Sequence, residues 1–132
     1  MLTKLNRSVA GIRGRLAKEE SGFTLIELLV VLVIIGVLLA IAVPSYLGFK
    51  QRAEKRAADS NVRAAIPAME AFYSDNGTYV GATQGVLKAS YDAGLASVTI
   101  SGLSASAYTI AFTEGSCTAT VTGPGGTISN TC

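Results

Sequence analysis

The 21 residues from Phe23 to Val43 form one apolar run, interrupted chiefly by Glu27 and Gly36. An α-helix needs about 20 such residues to cross the hydrocarbon layer of a bilayer. A helix that is apolar on all sides must be covered on all sides, by lipid or by other helices like itself. Glu27 is the anomaly. A carboxylate at bilayer depth costs roughly 3 kcal/mol on insertion scales. It therefore either sits near the headgroups or awaits a cation, and the run itself supplies none.

Charge is distributed to match. Residues 1–22 carry Lys4, Arg7, Arg13, Arg15 and Lys18 against Glu19 and Glu20, a net of +3, while the other 110 residues carry six basic and seven acidic side chains, a net of −1. Positive charge directly before an apolar run is an orientation signal that keeps that end in the cytoplasm. An ordinary secretory signal places its small-residue cleavage site after the apolar stretch. Here Ser21-Gly22-Phe23 precedes it. A cut near Gly22 removes the basic leader, leaves the apolar helix on the mature chain and creates a new amine on Phe23. That amine lies about one helical turn from Glu27 in the same chain, and pairing with a neighbouring copy is equally open.

Gly22-Phe23-Thr24-Leu25-Ile26-Glu27, with charge before it and a membrane-length run after it, resembles the cleavage and methylation motif of type IV prepilins and the related pseudopilins. The resemblance is strong over roughly residues 18–60 and generic beyond. It implies that a prepilin peptidase/methyltransferase cuts between Gly22 and Phe23 and N-methylates Phe23. It also implies that Glu27 serves assembly by neutralising the N-terminal amine of a neighbouring subunit. Gly36 and Pro44 fall where such chains often carry helix-weakening residues.

Beyond the run the helix continues. Pro44 removes the hydrogen bond to the Ala40 carbonyl, so a kink or local unwinding is expected between Gly36 and Pro44. Tyr46, Phe49, Ala53 and Ala57 share one face, while Val62, Ala65, Ile66, Met69, Phe72 and Tyr73 form a second stripe at helical spacing. The first stripe is expected to face other subunits and the second the chain's own globular part. Lys50/Glu54, Lys55/Asp59 and Asp59/Arg63 are possible i,i+4 pairs on a solvated face. The helix should end near Ser74, with Asp75-Asn76-Gly77 as the turn. From Phe23 to Ser74 such a rod is about 78 Å long, too long for the remaining residues to bury, and this points to self-assembly.

Residues 76–132 are expected to hold a connecting loop with a short helix within Gln84–Leu95, its inner side formed by Val86, Leu87, Tyr91 and Leu95. Alternating segments around Val98–Ile100, Tyr108–Thr113, Thr118–Thr122 and Thr127–Asn130 predict three or four antiparallel strands, with Gly123–Gly126 as a turn. The fold class is thus α+β, a long N-terminal helix packed by a small C-terminal antiparallel sheet, the pilin fold. The expected division is 1–22 leader, 23–75 helix, and 76–132 loop and sheet. The core is thin, so a staple is expected. Cys117 and Cys132, the only cysteines, would close a loop near the chain end. Two lone cysteines in an exported chain more often pair than not, and the pilin resemblance implies the same bridge.

The chain has no histidine and no CxxC. This excludes histidine-based triads, makes a zinc site improbable and leaves no candidate catalytic group, so neither a metal nor a cofactor is expected. The expected function is structural: a subunit held by a single pass in the cytoplasmic membrane, then polymerised with other copies by membrane assembly machinery into an extracellular type IV pilus. A type II secretion pseudopilin is the alternative. A minor pilin for DNA uptake would need a basic, aromatic-bearing tip. Lys88 is the only basic residue after Arg63, so no nucleic acid partner is expected.

Overall fold

The computed structural model describes residues 22–132. The leader, apart from Gly22, lies outside the described residues. The chain divides at Val43/Pro44 into two compact units. Helix α1 spans Leu25–Asn76, carries Pro44 and Pro67 inside it and contributes residues to both units. The local unwinding expected between Gly36 and Pro44 is not present, because the helix is continuous through both. Losing one backbone donor does not end a helix whose neighbours, Val43 and Ser45 onward, remain good enough formers to carry it past the gap.

In the first unit, residues 25–43 of α1 are exposed along their whole length, with Leu25 at 87 % and Ile41 at 67 %. This helix is long and apolar enough to cross a membrane. Exposure of that much aliphatic surface to water is a large unfavourable term, since each fully covered Leu, Ile or Val is worth roughly 1.5–3 kcal/mol.

The second unit has the core. Ala58, Val62, Ala65, Met69 and Phe72, alternating steps of four and three, put a buried stripe on α1, joined by Ala68. Of the residues expected on this stripe, Ile66 is half-buried and Tyr73 is exposed at 39 %, its ring instead lying 4.5 Å from that of Tyr79. Opposite the stripe are four strands in simple order, β1 (Thr99–Ser101), β2 (Tyr108–Glu114), β3 (Cys117–Gly123) and β4 (Ser129–Thr131), all antiparallel. Strand alternation sends Tyr108 and Ile110 of β2 and Cys117, Ala119 and Val121 of β3 inward. Their threonines turn outward, where Thr113 and Thr118 bond across the strands at 2.9 Å. Ala58 and Ala65 on the helix are small enough to let the sheet come close.

Helix α2 covers Gln84–Ser90, shorter than the expected window, with the Thr83 hydroxyl capping the Val86 N–H. Leu87 and Leu95 are buried and Tyr91 half-buried, but Val86 is 39 % exposed and does not belong to the inner side. Gly77, at φ +69°, ends α1 in the left-handed conformation and donates to the Tyr73 carbonyl at 2.7 Å.

Three polar ties lock the sheet and loop to α1. The Tyr79 and Tyr108 hydroxyls both donate to Glu70, at 3.0 Å each to its two oxygens. The Tyr91 hydroxyl donates to Asp75 at 2.9 Å. Glu54 accepts from both the N–H (3.0 Å) and the hydroxyl (2.9 Å) of Ser116 in the β2–β3 turn, and Lys50 approaches it at 3.6 Å. These bonds, the Ser116 N–H foremost, hold the Glu54 carboxyl below the ordinary carboxylate range. Gly115, at φ +56°, completes the turn, and a Cβ there would run into the Glu54 carboxylate. Lys50–Glu54 is the only one of the three anticipated helix pairs to form an ion pair among the described residues. Cys117 is disulfide-bonded to Cys132, fixing the chain end beside β3.

Replacing both cysteines with alanine should lower the unfolding free energy by about 3 kcal/mol, the chain-entropy value for a loop of this size, measured by urea denaturation of detergent-solubilised chain. Burial, and then the Glu70 hydrogen bond and charge, push the Tyr79 phenol up to about 12 and raise Tyr108 as well. The folded chain thus holds protons that the unfolded chain releases near 10, so stability should fall as pH rises from about 10 towards 12. Thermal melts over that range, compared with a Tyr79→Phe, Tyr108→Phe variant, check this: the variant should lose most of the slope.

Candidate assembly segment

The segment that leads from the expected cleavage site into the apolar helix is Gly22–Glu27, all of it exposed. Thr24 immediately precedes α1 and Glu27 lies in its first turn. Their contacts are reciprocal. The Thr24 N–H donates to Glu27 Oε2 at 2.8 Å and its hydroxyl donates to the same oxygen at 3.0 Å, while the Glu27 N–H approaches the Thr24 hydroxyl oxygen at 3.3 Å. The Leu28 N–H reaches the Thr24 carbonyl at 3.3 Å. This is a capping box: the first turn's orphan N–H groups and the glutamate satisfy each other.

The geometry answers the question raised by a carboxylate at the edge of an apolar run. Glu27 is not bare, because Thr24 supplies two donors, and a negative group in the first turn also meets the positive end of the helix dipole. The Thr-x-x-Glu spacing that builds the box is present in the sequence as Thr24-Leu25-Ile26-Glu27. Phe23 is 83 % exposed, one residue before the N-cap. Gly36 has open space where a Cβ would stand, and Pro44 lies within continuous helix. Cys117 and Cys132 are brought together in the other unit.

Residues 18–43 match the family model described as the prokaryotic N-terminal methylation motif. The chain is 40 % identical over 65 residues to the type IV major pilin protein PilA of Myxococcus xanthus, which covers 49 % of this chain and 30 % of that protein. It is 40 % identical over 72 residues to the type II secretion system core protein G of Escherichia coli, covering 54 % of this chain and 50 % of that one. The core protein G of Pseudomonas aeruginosa is 36 % identical over 69 residues, 52 % of this chain and 49 % of that one. The chain thus spans half the length of these relatives or less. No solved structure matches it.

These matches define a class, chains that carry a methylation motif ahead of an apolar helix. Over this N-terminal segment the chain is similar to a type IV major pilin and to type II secretion core proteins.

Replacing Thr24 with valine removes the hydroxyl, which is one of the two donors to Glu27 and the N-cap acceptor, and leaves the backbone donor in place. Helix start should lose about 1 kcal/mol, seen as faster amide exchange at residues 25–28 in micelles relative to residues 30–40 of the same sample.

Proposed function

We propose that this chain is a filament subunit of the type IV pilus class. In this reading the Gly22–Phe23 bond is cut by a prepilin peptidase and Phe23 is N-methylated. Residues 23–43 then hold the subunit in the cytoplasmic membrane until assembly machinery transfers it into an extracellular fibre of identical copies. The observation that carries the reading is the juxtaposition of the methylation motif with a helix whose apolar surface is left entirely uncovered. Polymerisation covers it by replacing lipid with helices of other copies. The role is structural, not enzymatic.

Glu27 takes the assembly role in this scheme. In the membrane, Thr24 satisfies it. In the fibre, a neighbour's Phe23 amine takes up its charge, and the exchange proceeds without leaving a bare carboxylate in an apolar layer. The segment between Gly36 and Pro44 is proposed to lose helix on assembly, since it combines a glycine with a missing backbone donor. A fibre map with helix continuous there would rule this out.

The second reading is a type II secretion pseudopilin, supported by the larger share of core protein G that the alignment spans, 50 % against 30 % for the pilin. The Cys117–Cys132 loop, which pilins of the resembled family often carry, supports the first.

Mass spectrometry of sheared surface material decides. The expected species begins with N-methylated Phe23 and carries the intact disulfide. Intact Met1 in assembled fibres would refute processing, and processed chain confined to membranes would favour the pseudopilin. Glu27→Ala should leave cleavage in place yet reduce fibres to on the order of a hundredth or less, several kcal/mol of lost charge pairing.

A further inference from the structure

Most carboxylates of the second unit are already engaged within the chain. Glu54 is held by Ser116, Glu70 by two phenols, Asp75 by Tyr91, and Asp92 by the Gly94 N–H. Glu114 is different: it ends β2 fully exposed, with no hydrogen bond or ion pair among the described residues. Five cations, Arg52, Lys55, Arg56, Arg63 and Lys88, are left over in the same way, and of these only Arg52 and Arg56 line one depression together. Arg52 and Arg56 are exposed and without an ion pair among the described residues. They stand four residues apart, so they repel each other along one face of α1, an arrangement that destabilises an isolated helix. With Phe49, 73 % exposed, and the short Ala53 they line a shallow depression.

We propose that Glu114 of one copy docks between Arg52 and Arg56 of the next. The argument rests on the filament reading above and deepens it by naming the surface through which copies recognise each other. Three observations carry it. First, the charges complement one another, and a planar guanidinium pair suits one carboxylate. Second, the two halves cannot meet within one chain. Glu114 adjoins the Gly115–Ser116 turn that grips Glu54. Arg52 and Arg56 are each two residues from Glu54, hence about 160° away around the helix, on the face turned from that grip. Third, a surface whose two complementary halves lie on different faces joins copies front to back, and such a heterologous contact leaves each added copy with a free half for the next, unlike the two-fold contact of a dimer.

The test uses the full chain in its native host, or any host that forms its fibres. Three variants are compared: Arg52→Glu with Arg56→Glu, Glu114→Arg, and the combination of all three. Sheared fibres are quantified against membrane-held subunit that starts at Phe23. Each reversal alone should reduce fibres on the order of tenfold or more, because like charges then face each other across the contact. The combination should restore fibres to at least half of wild type. Disulfide formation and thermal melting of detergent extracts must match wild type, so that misfolding does not pass for lost assembly; should the reversals fail there, Arg52→Gln, Arg56→Gln and Glu114→Gln replace them, and fibre yield must then rise as ionic strength is lowered for wild type but not for these variants. Normal fibres from the single reversals overturn the proposal while leaving the filament reading intact. Loss from the arginine reversal without rescue by Glu114→Arg also overturns it, and assigns the arginines to another partner such as anionic lipid headgroups. Failure of wild type to be cut at Phe23 counts against the filament reading itself.

Discussion

An apolar helix with nothing of its own to lie against governs everything else in this molecule. From Leu25 to Val43 every side chain is exposed, and no arrangement of the remaining small domain would cover all sides of it. Lipid or other copies must. The capping of Glu27 fits this constraint, because it lets the helix start enter an apolar layer without stranding a polar group. Thr24 and Glu27 satisfy one another locally, so the helix start carries its own solvation with it.

The second unit solves the opposite problem. It has a short core built on one stripe of α1, and much of that stripe is alanine. Close approach gained from small residues gives tight packing but little buried area, so side-chain ties supplement it. Glu54, Glu70 and Asp75 are spread along α1, and each receives a hydroxyl or N–H from a different piece of the loop and sheet. The result resembles lacing along a rod, with the disulfide as the knot at one end.

The coarse plan was legible in the sequence because its signals are local. A run of 21 apolar residues, period-two alternation around Tyr108–Thr113 and Thr118–Thr122, and a stripe at helical spacing each specify their own element. The capping box is equally local, its signal being the Thr24-x-x-Glu27 spacing. The ties to Glu54 and Glu70 were not legible. Glu54 and Ser116 are separated by 62 positions, and Glu70 and Tyr108 by 38, and no periodicity encodes which outward glutamate meets which turn. Gly36 and Pro44 mislead in the other direction. Their local chemistry weakens a helix, yet the flanking residues carry it through, so any melting there needs the fibre's packing to drive it.

The sheet's two borders are strands of only three residues, and Cys132 fastens the outer one by covalent bond to its neighbour. Short, tethered borders offer a passing strand almost no free backbone ladder to extend. Even at very high local concentration, such a sheet is guarded against the stacked-strand aggregates that crowding otherwise encourages.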